Sequence, residues 1–303
     1  MAGMKAPNNI AEDLVNKATY NYILSGSKVV NNPVSTNDMH PLWITGMFRA
    51  GTSIVTRIIQ HMGIDLGPED DLLKPKGFRA KLNPDGFFEN YLLMDMSLHV
   101  FKKLNSWGDA PPDPEDVEQF DLSGTHYKDF VYDSVVLIHD DRISNKNKGR
   151  VLKNYYPGNL PNYFHDRFNH RFAVKNPHFC LLFPILDKLF QNGEYLVVFR
   201  NPDDLIRSAQ QITPKANYEL YLAYYSRILD HPKALFFDYD ALIRNPQQSL
   251  EALARKLHIP CNLNDLIPLI RTSPEKKPEP RNIPEHVLTL YQNMLNKSIN
   301  KPS

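Results

Sequence analysis

Cysteine is nearly missing from this chain: 303 residues contain two, Cys180 and Cys261, far apart and in no metal-ligand spacing. That excludes a disulfide-built scaffold and a cysteine zinc site. It suits a reducing compartment, although two thiols still allow one disulfide. No run of about 18 apolar residues occurs, which argues against a transmembrane helix. Residues 1–19 carry no apolar block of the signal-peptide kind. Net charge is also lacking: a formal +1 gives no global attraction to nucleic acid or an anionic membrane. There is no internal repeat at a fixed period. These absences lead us to expect a soluble cytoplasmic protein without nucleic-acid partners. With 42% hydrophobic residues, the chain can bury one large core or two small ones.

What is present is α/β punctuation. Leu42-Trp43-Ile44-Thr45 reads as a short buried strand, followed by a glycine-bracketed loop and an apolar helix over 52–62. A second unit is the strand Phe172–Lys175 with the helix Phe179–Phe190. A third is the strand Tyr195–Phe199, followed by Arg200-Asn201-Pro202 and a helix through Gln211. A fourth is the strand Ala234–Phe237, then Asp238-Tyr239 and the helix Pro246–Leu257. Apolar strands alternating with helices predict a three-layer α/β fold, a parallel sheet flanked by helices.

The organisation we expect is a peripheral segment over 1–40 with an amphipathic helix near 10–24, a main domain over 41–270, and a tail over 271–303 with a helix near 284–296. Residues 64–170 break the rhythm with frequent Pro, Gly, Asn and Asp, between helical stretches near 90–104 and 125–138. They read as a mostly helical insertion, a lid or substrate wall rather than sheet.

Ligands of such sheets collect at the carboxyl ends of the strands. The residues there are Gly46–Ser53, Lys175, Arg200 and Asp238. Three of these four segments carry a cation, which points to a polyanionic ligand. In Gly46-Met47-Phe48-Arg49-Ala50-Gly51-Thr52-Ser53, backbone N–H groups and the following helix N-terminus can surround an anion. Glycine in a strand-to-helix turn can equally be steric, and the hydroxyls of Thr52 and Ser53 can cap the helix or meet a ligand oxygen. The spacing is that of a nucleotide-phosphate loop, but Thr52 stands where the lysine should follow the second glycine. A nucleotide kinase or NTPase, which needs that lysine and a metal-holding acid such as Asp238, is thereby disfavoured.

The loop resembles the 5′-phosphosulfate loop of sulfotransferases that use 3′-phosphoadenosine 5′-phosphosulfate (PAPS), whose bacterial-type branch usually reads Gly-x-Pro-Arg-Ser-Gly-Thr-Ser. Phe48 and Ala50 replace the usual proline and serine. Arg200-Asn201-Pro202 with Ser208 resembles the family's second signature. Asn83-Pro84-Asp85-Gly86-Phe87-Phe88-Glu89-Asn90, Lys175-Asn176-Pro177 and Phe237–Leu242 look like further family segments, in the right order from residue 42 to about 260.

The resemblance implies a P-loop-like nucleotide-binding fold and PAPS as co-substrate, with no metal required. It implies that Arg49, Ala50, Gly51, Thr52 and Ser53 hold the phosphosulfate and that Arg200 and Ser208 hold the 3′-phosphate. Asn201 as helix cap and Pro202 at the first turn would account for that helix start with no ligand at all.

For transfer to a hydroxyl or amine, Arg49 is the leading catalytic group, facing the charge that develops on the leaving phosphate. Glu89 is the candidate general base, and capping of the helix near 90–104 is its alternative role. Lys175 contacts the bridging oxygen or the acceptor, or merely reaches solvent. His61 and His99 read as helix residues, with His126, His165 and His178 open. Tyr218, Tyr221, Tyr224 and Tyr225 read as core packing, and Lys276, Lys277 and Arg281 as a solvated charge run. A carbohydrate, lipid head group, phenol or peptide side chain all stay open as acceptor. A family member that binds nucleotide without catalysis is the remaining alternative.

Overall fold

The computed structural model describes residues 35–73, 86–122, 160–270 and 282–301. Strands β1 (His40–Thr45), β2 (Arg171–Lys175), β3 (Glu194–Phe199) and β4 (Ala234–Asp238) form one sheet in the order β2-β1-β3-β4. All three pairings are parallel. Each strand falls within two residues of the apolar run that predicts it. The helices are α1 (Thr52–His61), α2 (Tyr91–Lys103), α3 (Pro114–Gln119), α4 (Leu160–Arg167), α5 (Phe179–Leu189) and α6 (Pro202–Ala209). They continue with α7 (Tyr218–Tyr225), α8 (Tyr239–Arg244), α9 (Pro246–Leu257), α10 (Leu263–Leu266) and α11 (Glu285–Lys297).

The strands read as continuous apolar runs because both faces of the sheet are covered, yet their side chains still alternate. Leu42, Ile44, Ala173, Leu196, Val198 and Phe237 join one core with Val55, Ile58 and Ile59 of α1 and Leu250 and Leu253 of α9. Trp43, Phe172, Val174, Tyr195, Val197 and Phe199 join the other with residues of α2, α5, α7 and α11. Three layers result, as expected. Trp43 anchors the second core, with its ring edge-to-face against Phe164, Phe172, Phe179 and Phe190 at centroid distances of 5.9, 6.2, 5.4 and 5.3 Å. Each such pair adds about 0.5–1.5 kcal/mol to what burial alone provides.

The described parts of the 64–170 insertion contribute helices α2, α3 and α4, and they also seal the open edge of the sheet. Asp65 and Glu89 form isolated parallel bridges to Phe172 and Lys175 of β2, so this edge strand is not left as a bare template. The helix predicted near 90–104 is α2. The third-unit helix stops at Ala209 rather than Gln211. The helix predicted near 284–296 is α11, whose Val287, Leu290 and Met294 are buried in the Trp43 core. The expected helices near 10–24 and 125–138, His126, Asn83-Pro84-Asp85, and Lys276, Lys277 and Arg281 lie outside the described residues.

Among the described residues no helix is long and apolar enough to cross a membrane. Both cysteines are free thiols. Cys180 is buried, with its thiol pushed up to about 12 by burial, and it lies 3.3 Å from Thr45 Oγ1.

The topology decides where the site lies. The chain leaves β1 to form β2 on one side, then crosses to form β3 on the other. The loops after β1 and β3 therefore meet over the carboxyl end of the sheet, where open α/β sheets bind ligands.

Candidate active site

The loop Gly46–Gly51 is pressed onto its surroundings. A Cβ on Gly46 would stand 2.1 Å from the Val198 carbonyl oxygen, and one on Gly51 would stand 2.2 Å from the Tyr239 ring. Both glycines also have positive φ, 141° and 97°. Their identity is thus fixed by close approach to β3 and to the start of α8, as the steric reading of such glycines requires. Two α7 tyrosines hold this region. Tyr225 Oη accepts from the Met47 N–H at 3.1 Å and donates to the Val198 carbonyl at 3.0 Å. Tyr221 Oη donates to the Arg200 carbonyl at 3.3 Å. The tyrosines are core residues, as their spacing suggests, and they also tie the two strand-end loops together.

Arg49 sits in the left-handed region, with φ of 73°, a conformation that costs a non-glycine residue about 1–2 kcal/mol. Its Nε donates to Ser208 Oγ at 3.0 Å. The guanidinium is held below its ordinary pKa by burial first and by the charge of Arg200 second, with Tyr239 acting the other way. Arg200 lies over the Tyr239 ring, 5.2 Å from the centroid. Asp204 and Asp240 lie 3.9 and 3.8 Å from it. The three residues expected at two phosphate subsites are therefore gathered into one cluster, with Ser208 directly on Arg49. Asn201 caps α6, its side chain accepting from the backbone of Asp203 and Asp204, so the cap and the strand-end arginine coexist.

Behind the loop, α1 starts at Thr52 with Gly51 as N-cap and no side-chain cap on its first turn. On that first turn, Ser53 Oγ lies against Lys175. This lysine does not reach solvent. It is buried, its Nζ donating to the Glu89 carboxylate, to the Phe87 carbonyl at 3.1 Å and to Ser53 Oγ at 3.5 Å.

Glu89 is also buried, and its Oε2 has no hydrogen-bond partner among the described residues. Capping of α2 falls to Asn90, which accepts from the Leu92 and Leu93 N–H groups at 3.0 and 3.3 Å. Phe88, with φ of 62°, turns the chain immediately before Glu89. Two of the four positive-φ non-glycine residues described thus flank the site, where strain of this kind collects.

Asp238, the acid a metal-dependent reading would need, is otherwise engaged. It caps α8 by accepting from the Asp240 N–H at 2.9 Å and lies 3.6 Å from Arg244. Burial pushes its carboxyl up to about 6. Among the described residues no three His, Cys, Asp or Glu side chains gather as a metal site would require.

Adjoining this site is a cleft of about 290 Å³ lined by Phe48, Glu89, Met94, Leu98, Trp107 and His178, among others, with part of its wall drawn from the 64–170 insertion. His178 stands at its wall, edge-on to Phe101 at 4.9 Å. Burial, and then Lys175, push its imidazole down to about 4, so it is neutral near pH 7. His61 and His165 are exposed and His99 is a buried residue of α2.

A parallel α/β sheet flanked by helices, with arginines and a glycine loop at its carboxyl end, is a P-loop-like fold. A profile of the sulfotransferase family matches residues 41–263, and the chain belongs to that family. No curated protein matches. Among solved structures, the chain is similar to the sulfotransferase domain of the Synechococcus PCC 7002 olefin synthase, at 17% identity over 80% of this chain and 81% of that one, with a TM-score of 0.45. It is also similar to sulfotransferase STF9 from Mycobacterium avium, at 16% identity over 86% and 74%, TM-score 0.36. A third is sulfotransferase STF1 from Mycobacterium tuberculosis H37Rv, at 12% identity over 86% and 75%, TM-score 0.35.

Proposed function

We propose that the chain transfers a sulfuryl group from PAPS to a hydroxyl or amine of an acceptor, releasing 3′,5′-ADP. The observation that carries this reading is the meeting of Arg49, Arg200 and Ser208 at one point over the sheet. Two guanidiniums close enough for one to depress the other's pKa are an arrangement that a polyanion relieves. The uncapped amides of α1 and the hydroxyls of Thr52 and Ser53 add donors beside them. These residues fit a donor with phosphate groups at both its 5′ and 3′ positions.

When bound, PAPS supplies an activated sulfuryl group on a phosphate leaving group. Arg49, the loop amides of Ala50 and Gly51, and the Thr52 and Ser53 hydroxyls counter the charge that develops on that phosphate. Arg200 and Ser208 bind the 3′-phosphate, the feature that separates this nucleotide from ADP. Lys175 links the two halves of the site, since it touches both Ser53 and Glu89. Glu89 takes the proton from the attacking group, using the Oε2 that no protein donor occupies. Sulfuryl carries less charge than phosphoryl, so the reading needs no metal.

The test is thermal unfolding with 3′,5′-ADP, ADP and ATP–Mg²⁺. At a hundredfold excess over Kd, a ligand that binds only the folded chain adds about 2.7 kcal/mol, a rise of several degrees for a protein of this size. We expect 3′,5′-ADP to give that rise and Arg200→Ala to abolish it. Equal stabilisation by ADP, or stabilisation by ATP–Mg²⁺ alone, would overturn the reading in favour of a nucleotide kinase or NTPase.

A further inference from the structure

Resting on the sulfuryl-transfer reading, we infer that the acceptor is a neutral, largely apolar alcohol or phenol, held in the 290 Å³ cleft with its single hydroxyl on Glu89. The walls of that cleft are Phe48, Met94, Leu98, Trp107, Pro177 and Ile212. Trp107 and Ile212 are 47% and 48% exposed, and they are two of the four large apolar side chains that the described residues leave open to water. Both stand on the same cleft, so an apolar body entering it covers them.

The polar side chains of the lining are mostly occupied already. Asn176 Nδ2 donates to Ser97 Oγ at 3.0 Å and to the Leu93 carbonyl at 3.3 Å, and its Oδ1 accepts from the His178 N–H at 3.0 Å. Thr213 Oγ1 donates to Asp109 Oδ2 at 2.8 Å, and Lys215 lies 3.7 Å from the same carboxylate. Glu89 is different. It is a buried carboxylate on the cleft, with one oxygen taken by Lys175 and Oε2 unpartnered.

A cleft with apolar walls beside an unpartnered carboxylate oxygen discriminates in a predictable direction. A sugar would bury several hydroxyls against Phe48, Met94 and Leu98, each left without a partner at a cost of about 1–3 kcal/mol. An alcohol with one hydroxyl loses none, and each methylene it buries strengthens binding about fourfold. Among the described lining residues the two acids, Glu89 and Asp109, each face a lysine, and no lysine or arginine lines the cleft itself to hold an anionic acceptor. At the liquid-water share of about 30 Å³ per molecule, the cleft holds about ten non-hydrogen atoms.

The transfer then balances simply. The alcohol oxygen forms a bond to sulfur as the sulfur–oxygen bond to the 5′-phosphate breaks. That bond pair leaves on 3′,5′-ADP, and the hydroxyl proton passes to Glu89 Oε2. The products are a sulfate monoester and 3′,5′-ADP.

The chain contains two tryptophans, and Trp43 is buried in the core while Trp107 lines the cleft. Butanol, hexanol, octanol and glucose are titrated with 3′,5′-ADP present, following tryptophan emission, with Trp107→Phe as the control that keeps only Trp43. We expect affinity to rise about fourfold per methylene from butanol to octanol, no response to glucose, and loss of the signal in the control. Ile212→Asp, on an exposed side chain, should weaken octanol at least tenfold with the 3′,5′-ADP thermal shift unchanged.

A flat chain-length series, glucose bound as tightly as octanol, or unchanged octanol affinity in Ile212→Asp would overturn the inference. Octanol binding without any 3′,5′-ADP stabilisation would uphold the cleft and overturn the donor reading. The reverse result would do the opposite.

Discussion

Replacing Lys175 with methionine tests whether the two halves of the site are coupled by charge. Lys175 is buried against Glu89, Phe87 O and Ser53 Oγ, so Lys175→Met strands a buried carboxylate and Glu89→Gln strands a buried ammonium. Breaking one partner of a buried pair costs about 3–5 kcal/mol, whereas removing both charges together is often close to neutral. For a chain of 303 residues, 1 kcal/mol corresponds to about 1.6 °C in Tm. Each single variant should therefore melt about 5–8 °C lower, and the double variant should recover most of that loss. Thermal melts and urea titrations of the four proteins close the cycle. Additive losses, agreeing within about 0.5 kcal/mol, would show that no charge coupling exists. The role assigned to Lys175 as the link across the site would then fall.

Tyr225→Phe removes one hydroxyl and leaves both the Met47 N–H and the Val198 carbonyl without their partner. A loss of about 1–3 kcal/mol is expected, with weaker stabilisation by 3′,5′-ADP because the loop loses its tie to α7; unchanged melting and unchanged ligand response would refute that tie. The pH profile holds two opposed contributions. His178, lowered to about 4, supplies stability above pH 6.5 that is lost as the pH falls towards 4, whereas Asp238, raised to about 6, supplies stability at low pH that is lost as the pH rises from about 4 through 6. They offset one another between pH 4 and 6.5. Asp238→Asn should therefore make stability fall more steeply in that window, as read by urea midpoints at successive pH values, and an unchanged slope would refute the assignment.

The sheet was legible in the sequence because four short apolar runs, each followed by a helix, leave few topologies open. The strand-end position of Arg49, Lys175 and Arg200 followed from the same pattern. The direct bond between Arg49 and Ser208 did not, since it depends on how the loop turns through a left-handed arginine. Glu89 stood equally between base and cap until Asn90, its neighbour, took the cap. A strand-end lysine has the same sequence signature whether it reaches solvent or a buried partner; for Lys175 the bridge that lays Glu89 alongside β2 makes the difference. A substrate wall from the 64–170 insertion was expected, but the particular residues of the apolar cleft were not. Phe48, Met94, Trp107, His178 and Ile212 come from five separate segments with no shared period.

The strand order also sets a timetable for synthesis. β1 is central, but both of its neighbours are encoded later: β2 begins at Arg171 and β3 at Glu194. At about 5–20 residues per second, roughly 6–25 s separate the end of β1 from the start of β2. Through that interval Leu42, Trp43 and Ile44 have neither ladder partners nor a sheet to cover them. The nascent chain thus carries a buried central strand, and the loop that follows it, as an early-exposed aggregation hazard, and the site can close only after the ribosome has passed Ser208.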